Sequence, residues 1–360
     1  MIYDADAKAA IDPIIDLARK HNDKRRLCQI YSILGVYYCF VEENYIEAFK
    51  ALEQAVKISE EIKDFITSVL ASLWFGCLLG WNCEFEKAEQ YIQRALDINV
   101  TAKNLWGIAV MKSNLACFCY HYPGKMNLGF QITDEAVQTG EESGDSLSKG
   151  ISYVCHGMSC FGKGLLGEAE KHLLKGLHFS ERINLHSWNG TARISLGETY
   201  FEMGDFLRSK EHYEKGSWIL EHNRLWPSWA NLGKVGLARS KVVNKEKDVD
   251  LETLYAYCRN NKIKAAEGYI HRFIGEILLN IDDQHISEAE HWIRKAIEAD
   301  QRNRMMFHLG KDYALYSDLF KREGDRLKAQ ENLGKAIEIL LECGADGWVE
   351  KYEKELTEFL

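Results

Sequence analysis

The feature that most constrains this chain is a repeat. From Tyr31, the residues Tyr31, Leu34, Gly35 and Tyr38 place an aromatic, a leucine, a glycine and an aromatic at offsets 0, 3, 4 and 7, which is one face of a helix. A small residue recurs in that register as Gly35, Gly76, Ala116, Gly157, Gly197, Gly236, Gly275 and Ser317, at intervals of 39 to 42 residues. The segment after each carries small residues seven apart: Ala48 and Ala55, Ala88 and Ala95, Gly129 and Ala136, Ala169 and Gly176, Ser209 and Gly216, Ala289 and Ala296, Ala329 and Ala336. Seven residues make two helical turns, so each pair shares a face and lets another helix backbone come close. Only the sixth unit lacks the pair, in Leu251 to Cys258, and is placed there by register. With three prolines in 360 residues, little interrupts long helices, and an all-α fold is expected.

Between the two helices of a unit, Gly204-Asp205-Phe206 and Gly324-Asp325 read as turns, with glycine closing one helix and aspartate capping the next. The aromatic, leucine, glycine, aromatic and alanine pattern resembles the tetratricopeptide family, whose unit of roughly 34 residues pairs two antiparallel helices. The resemblance implies a right-handed α-solenoid of about eight helix pairs over residues 1–360. Its expected divisions are a partial N-terminal unit at 1–22, repeats over 23–344 and a capping helix at 345–360. Ala9 to Arg19 reads as the second helix of a unit, so the sequence is expected to begin in mid-array. A period near forty further resembles the C-terminal helical-repeat regions of bacterial signalling ATPases, ATPase-linked adenylate cyclases and maltose-operon-activator-like proteins. The stretch Cys343 to Leu356 resembles the tails of such cyclases.

A net charge of −9 has the wrong sign for neutralising phosphates, so nucleic acid is not an expected partner. No apolar run is long enough to span a membrane. Asp4, Asp6, Asp12 and Asp16 break any secretory signal near the start, and the ten cysteines are scattered through apolar stretches rather than arrayed as a disulfide framework. A cytoplasmic protein is expected. Gly157 to Gly164 matches a phosphate loop until the last position, where glycine replaces the hydroxyl that would contact magnesium, and the segment reads as helix and turn rather than strand and loop. Cys117, Cys119, His121 and the Cys155-His156 pair are more simply buried residues than zinc ligands, because residues two apart on a helix diverge. No catalytic residue, metal or cofactor is expected.

The resemblance also implies a concave face made by positions one, four and five after the small residue. Across the first four units these give Val36, Cys39 and Phe40; Cys77 and Trp81; Cys117, Tyr120 and His121; Met158 and Phe161. This apolar, aromatic strip is the expected ligand site, formed by Val36, Phe40, Cys77, Trp81, Cys117, Tyr120, His121, Met158 and Phe161. The same strip would be ordinary core if the superhelix curls tightly. In the fifth, seventh and eighth units the positions become Glu198, Phe201 and Glu202; Glu276, Leu279 and Asn280; Asp318, Lys321 and Arg322, a polar surface. Ser32 and Val36 replace the lysine and asparagine of the family's carboxylate clamp, which disfavours an acidic C-terminal peptide. The expected function is a non-catalytic scaffold or sensor of a bacterial signalling protein, binding a protein or peptide segment such as an apolar or amphipathic helix. The alternative is a solenoid that senses a small-molecule effector and regulates an attached ATPase, cyclase or transcription factor.

Overall fold

The computed structural model describes residues 7–246 and 249–357. Residues 1–6, with Asp4, Asp6 and the start of the expected N-terminal part-unit, and 358–360, the end of the expected cap, lie outside the described residues. Among the described residues there are eighteen α-helices and no strand. After α1 (Ala7–Lys20) come eight consecutive pairs. They are α2 (Lys24–Phe40) with α3 (Tyr45–Ile62), α4 (Phe65–Trp81) with α5 (Phe85–Thr101), and α6 (Leu105–Leu115) with α7 (Met126–Ser143). Next are α8 (Ser146–Gly162) with α9 (Leu166–Arg182), α10 (His186–Glu202) with α11 (Phe206–His222), and α12 (Pro227–Val243) with the short α13 (Leu251–Arg259). The last are α14 (Lys264–Ile281) with α15 (Ile286–Asn303) and α16 (Met306–Glu323) with α17 (Arg326–Cys343), followed by α18 (Asp346–Thr357).

Most of these helices are 17 or 18 residues long, so the period near forty comes from lengthened helices rather than lengthened loops. Their starts are capped as the sequence implies. Asp205 accepts from Arg208 N–H at 3.0 Å and Asp325 from Lys328 N–H at 3.1 Å. Gly204 and Gly324, at φ +79° and +78°, turn the chain between helices where a side chain would be strained.

The periodic small residues mark the packing contacts. A Cβ on Gly76 would lie 2.4 Å from Ile92, one on Gly157 2.6 Å from Leu173, and one on Gly197 2.7 Å from the Tyr213 ring, in each case on the second helix of the same unit. The sixth unit differs. There Gly236 abuts Tyr213 of the preceding unit, and α13 is a single nine-residue segment.

Repeat arrays are usually built from contacts between neighbours alone, but here the chain also meets itself. Ser228 donates its N–H to Glu43 Oε1 at 2.8 Å and its hydroxyl to Oε2 at 2.6 Å, across 185 residues. Trp226 N–H donates to the Phe40 carbonyl at 2.7 Å, and Lys262 Nζ to the Glu42 carbonyl at 3.0 Å. Arg304 grips Glu86 through two bonds of 2.7 and 2.8 Å. Gly347 N–H donates to the Lys163 carbonyl at 2.9 Å, Trp348 Nε1 donates to the Phe161 carbonyl at 2.8 Å, and Lys163 pairs with Asp346. Turns within early units thus dock on the connections that leave late ones. The accessible surface of 15682 Å² is close to the roughly 14,800 Å² of a compact monomer of this mass.

Replacing Gly197 by leucine should destabilise the protein by about 1–3 kcal/mol, because the Tyr213 ring already fills the space. Denaturant melts of the variant and its parent measure this, and equal midpoints would place the glycine away from the contact.

Candidate functional site

Because the superhelix closes, its concave side is an interior with two parts. The first is an aromatic cavity of about 120 Å³ bordered by Trp81, Met158, Phe161, Trp188, Trp229 and Phe307 among others. Edge-to-face contacts hold its floor: Phe40 on Trp81 at 4.7 Å and Trp81 on Trp226 at 5.6 Å between ring centroids. His121 Nδ1 and Trp229 Nε1, on lining residues, have no hydrogen-bond partner among the described residues. His121 Nε2 lies 2.7 Å from Ser159 Oγ, and burial with help from His156 pushes the ring's pKa down to about 4, so it is neutral.

The second part is a charged cleft of about 550 Å³. Its walls include Phe201 and Glu202, Glu276, Leu279 and Asn280, and Asp318, Lys321 and Arg322, together with Lys351 and Tyr352 of α18. These are the positions read from the repeat register as the polar concave surface of the fifth, seventh and eighth units, all but Glu198, which borders the aromatic cavity instead.

Between the two parts runs a buried ionic network. Glu202 is met by Lys311 at 3.0 Å, Lys351 at 3.3 Å and Arg239 at 3.6 Å. Arg239 also pairs with Glu276 at 2.7 Å and lies 3.5 Å over the Phe201 ring. Arg272 binds Asp312 at 3.1 Å and donates to the His308 carbonyl at 3.3 Å. Cations crowd Glu202 and hold its carboxyl well below the usual range despite the opposing effect of burial. Glu198 has no such close partner, and burial pushes it up to about 7 against the pull of Arg272 and Arg239. Burial likewise raises Asp312 to about 6, and Asp300, facing Asp312 without a cation of its own, goes much higher.

The strip expected from the first four units is not an exposed surface. Val36, Phe40, Cys77, Trp81, Cys117, Tyr120 and His121 are buried, and Met158 and Phe161 are partly buried. Trp81, Cys117, His121, Met158 and Phe161 come together around the aromatic cavity, whereas Val36, Phe40, Cys77 and Tyr120 do not border it. For Phe40 the reason is closure, since Trp226 from the fifth connection covers its ring. For Tyr120 it is a change of register. Residues Ala116–Tyr120 form a π-helical turn after α6, with His121 N–H bonded to the Ala116 carbonyl at 3.0 Å, and the extra residue rotates Tyr120 away. Its hydroxyl donates to Glu89 on α5 at 3.0 Å, and Tyr122 borders the cavity instead. Trp188, Trp229, Tyr269 and Phe307 escaped the sequence reading because they lie outside the offsets used to read the concave face. A tryptophan pair around Pro227 at a unit boundary was the available signal.

This architecture is that of a tetratricopeptide-like helical-repeat solenoid. Among solved structures it is similar to the Rap conjugation gene regulator of plasmid pLS20 in complex with the Phr* peptide, with TM-score 0.57 and 12% identity, covering 88% of this chain and 96% of that one. It is also similar to a Rap protein complexed with competence and sporulation factor, with TM-score 0.52 and 11% identity over 98% of both chains. A third similar structure is a signal transduction ATPase with numerous domains from Pyrococcus horikoshii, which has a tetratricopeptide repeat sensor. There the TM-score is 0.51 at 14% identity, covering 98% of this chain but only 55% of that one. No family model matches the chain, and no curated protein does. No helix among the described residues is long and apolar enough to cross a membrane.

Glu198 provides a test of the interior. Between its ordinary value of 4.5 and about 7 the folded chain keeps a proton that the unfolded chain has lost, so its contribution to stability is full at low pH and falls as pH rises through this window. Buried histidines such as His121 act oppositely, so the variant must be read against its parent. Glu198→Gln should gain stability relative to the parent between pH 5 and pH 8, on the order of 1–3 kcal/mol. A difference that does not change with pH would show that Glu198 titrates normally.

Proposed function

We propose that this protein is a non-catalytic sensor that binds a short, extended peptide or protein segment inside its closed superhelix. The observation that carries the reading is the pairing of the two interior spaces. A cleft with charges of both signs can match a peptide's backbone, termini and ionic side chains, while the adjoining aromatic cavity takes one apolar anchor. An α-helix is about 10–12 Å across and does not fit a cavity of about 120 Å³, so only one side chain of the segment enters there, and an extended segment in the cleft is the form we propose in place of an amphipathic helix. Fold similarity to a Rap regulator in complex with the Phr* peptide, and to an ATPase with a repeat sensor, supports a peptide-responsive signalling role. The protein recognises its segment without transforming it, and conveys occupancy to an effector that is attached or bound.

The test is selection of short peptides on the purified full chain, followed by titration of the winners. Lys351 and Asp318 border the cleft with half-exposed side chains; Asp318→Ala should keep the parental melt, whereas Lys351→Ala also withdraws one of the cations on Glu202 and is titrated at a temperature below its own melt. Each should weaken binding by about 1 kcal/mol or more, roughly fivefold, if it is an anchor. Normal binding by both variants would contradict the reading. The orphaned polar atoms of His121 and Trp229 favour a second reading, a compact small-molecule effector held by the cavity alone. Binding of such a molecule would be lost in Trp229→Phe and unchanged in Lys351→Ala.

A further inference from the structure

A cluster outside this interior has the donors and the support of a metal site. His156 and Cys160 are four residues apart on α8 and so lie on one face of it, and His172 projects from α9, the antiparallel partner of α8. One donor atom from each lies within 4.8 Å of the others. The two imidazoles meet edge to face with centroids 4.6 Å apart. None of the three takes part in the concave site.

We infer that His156, Cys160 and His172 bind a divalent transition-metal ion, zinc by the chemistry of the donors, with the fourth position open to water. Tetrahedral zinc with bonds of about 2.0–2.3 Å needs donors roughly 3.3–3.6 Å apart, so side-chain rotation must draw the three together by up to about 1.5 Å from their present separation. His172 has the freedom to do so, being partly exposed. The surroundings decide which nitrogens are left free to bind. His156 Nδ1 is held by Thr133 Oγ1 at 3.0 Å, which leaves Nε2. His172 Nε2 lies 3.4 Å from Glu168, which leaves Nδ1, a buried atom with no hydrogen-bond partner among the described residues. A carboxylate or hydroxyl behind each ligating imidazole is the usual outer support of such sites.

Of Cys117, Cys119, His121, Cys155 and His156, which stand close together in the sequence, only His156 belongs to this site; its partners Cys160 and His172 were not legible because the converging donors are split by the turn between α8 and α9. On binding, the Cys160 thiol gives up its proton to solvent and its thiolate takes the metal bond. The ion would then clamp the two helices of the fourth unit, whose turn also docks on α18.

The test is titration of the reduced, chelator-stripped full chain with cobalt(II) alone, a spectroscopic stand-in for zinc. One equivalent should bind and give a thiolate-to-cobalt charge-transfer band with intense tetrahedral visible bands, and zinc should displace it. Cys160→Ser should remove the charge-transfer band, and His172→Ala should weaken binding at least tenfold. Should the buried Cys160→Ser variant lose its helical circular dichroism, the partly exposed His172→Ala carries the test. Thr133→Val and Glu168→Gln, which leave the three donors in place, should weaken binding by roughly tenfold or more. Absence of a thiolate band in the parent, or its retention at full affinity in His172→Ala, would overturn the assignment.

Discussion

The carboxylate of Glu43 sits at the start of α12, and the rest of the molecule depends on what it does there. Pro227 opens that helix without an N–H, and Ser228 supplies the next donor, one of the groups a helix leaves unbonded at its start. Glu43 takes both the N–H and the hydroxyl of Ser228, with its negative charge at the positive end of the helix. Burial raises its pKa, and the bonds from Ser228 oppose that rise. A buried carboxylate that lost them would be left unpaired, which is far more costly than an unmade surface contact. Through this contact a one-dimensional stack becomes a closed turn.

Closure turns concave positions into interior. In an open array, Phe40 and Trp81 would face solvent, and Glu202, Arg239 and Lys311 would be ordinary groove charges. With the fifth connection packed over the first unit and α18 seated against the fourth, the aromatic residues wall a small cavity and the charges are forced into mutual pairing. Glu202 stays ionised because three cations surround it, and Glu198, one helical turn away on α10, is driven toward the neutral form. The interior is therefore graded from apolar to ionic along a single helix. This grading gives the proposed segment a direction as well as a place.

Much of the fold could be read in the sequence, because local periodicity states it directly. Gly76, Gly157 and Gly197 mark close helix contacts, Asp205 and Asp325 mark caps, and the missing small pair at Leu251 to Cys258 marks the one truncated second helix. The register of the concave face was also legible, since Phe201, Glu202, Glu276 and Arg322 occupy the positions it assigned. What could not be read was which end of that face stays open. The bonds that decide it join residues 181 to 220 positions apart, such as Lys163 with Gly344 and Lys262 with Glu42, and a contact of that span leaves no periodic trace. Favouring aromatic anchors therefore pointed to the end that closure buries. The π-helical turn at Ala116 is a second limit, because one inserted backbone step redirects Tyr120 without any change in residue pattern.

Contacts between superhelical turns, led by Glu43 and Ser228, hold the array closed around its interior. Small-angle X-ray scattering of the full chain and of Glu43→Ala, with circular dichroism on both, measures this most directly. The parent should have a radius of gyration near the roughly 21 Å of a compact chain of this length, and the variant should expand while keeping its helical content. A parent already extended well beyond that value, or a variant whose scattering is unchanged, would contradict the account.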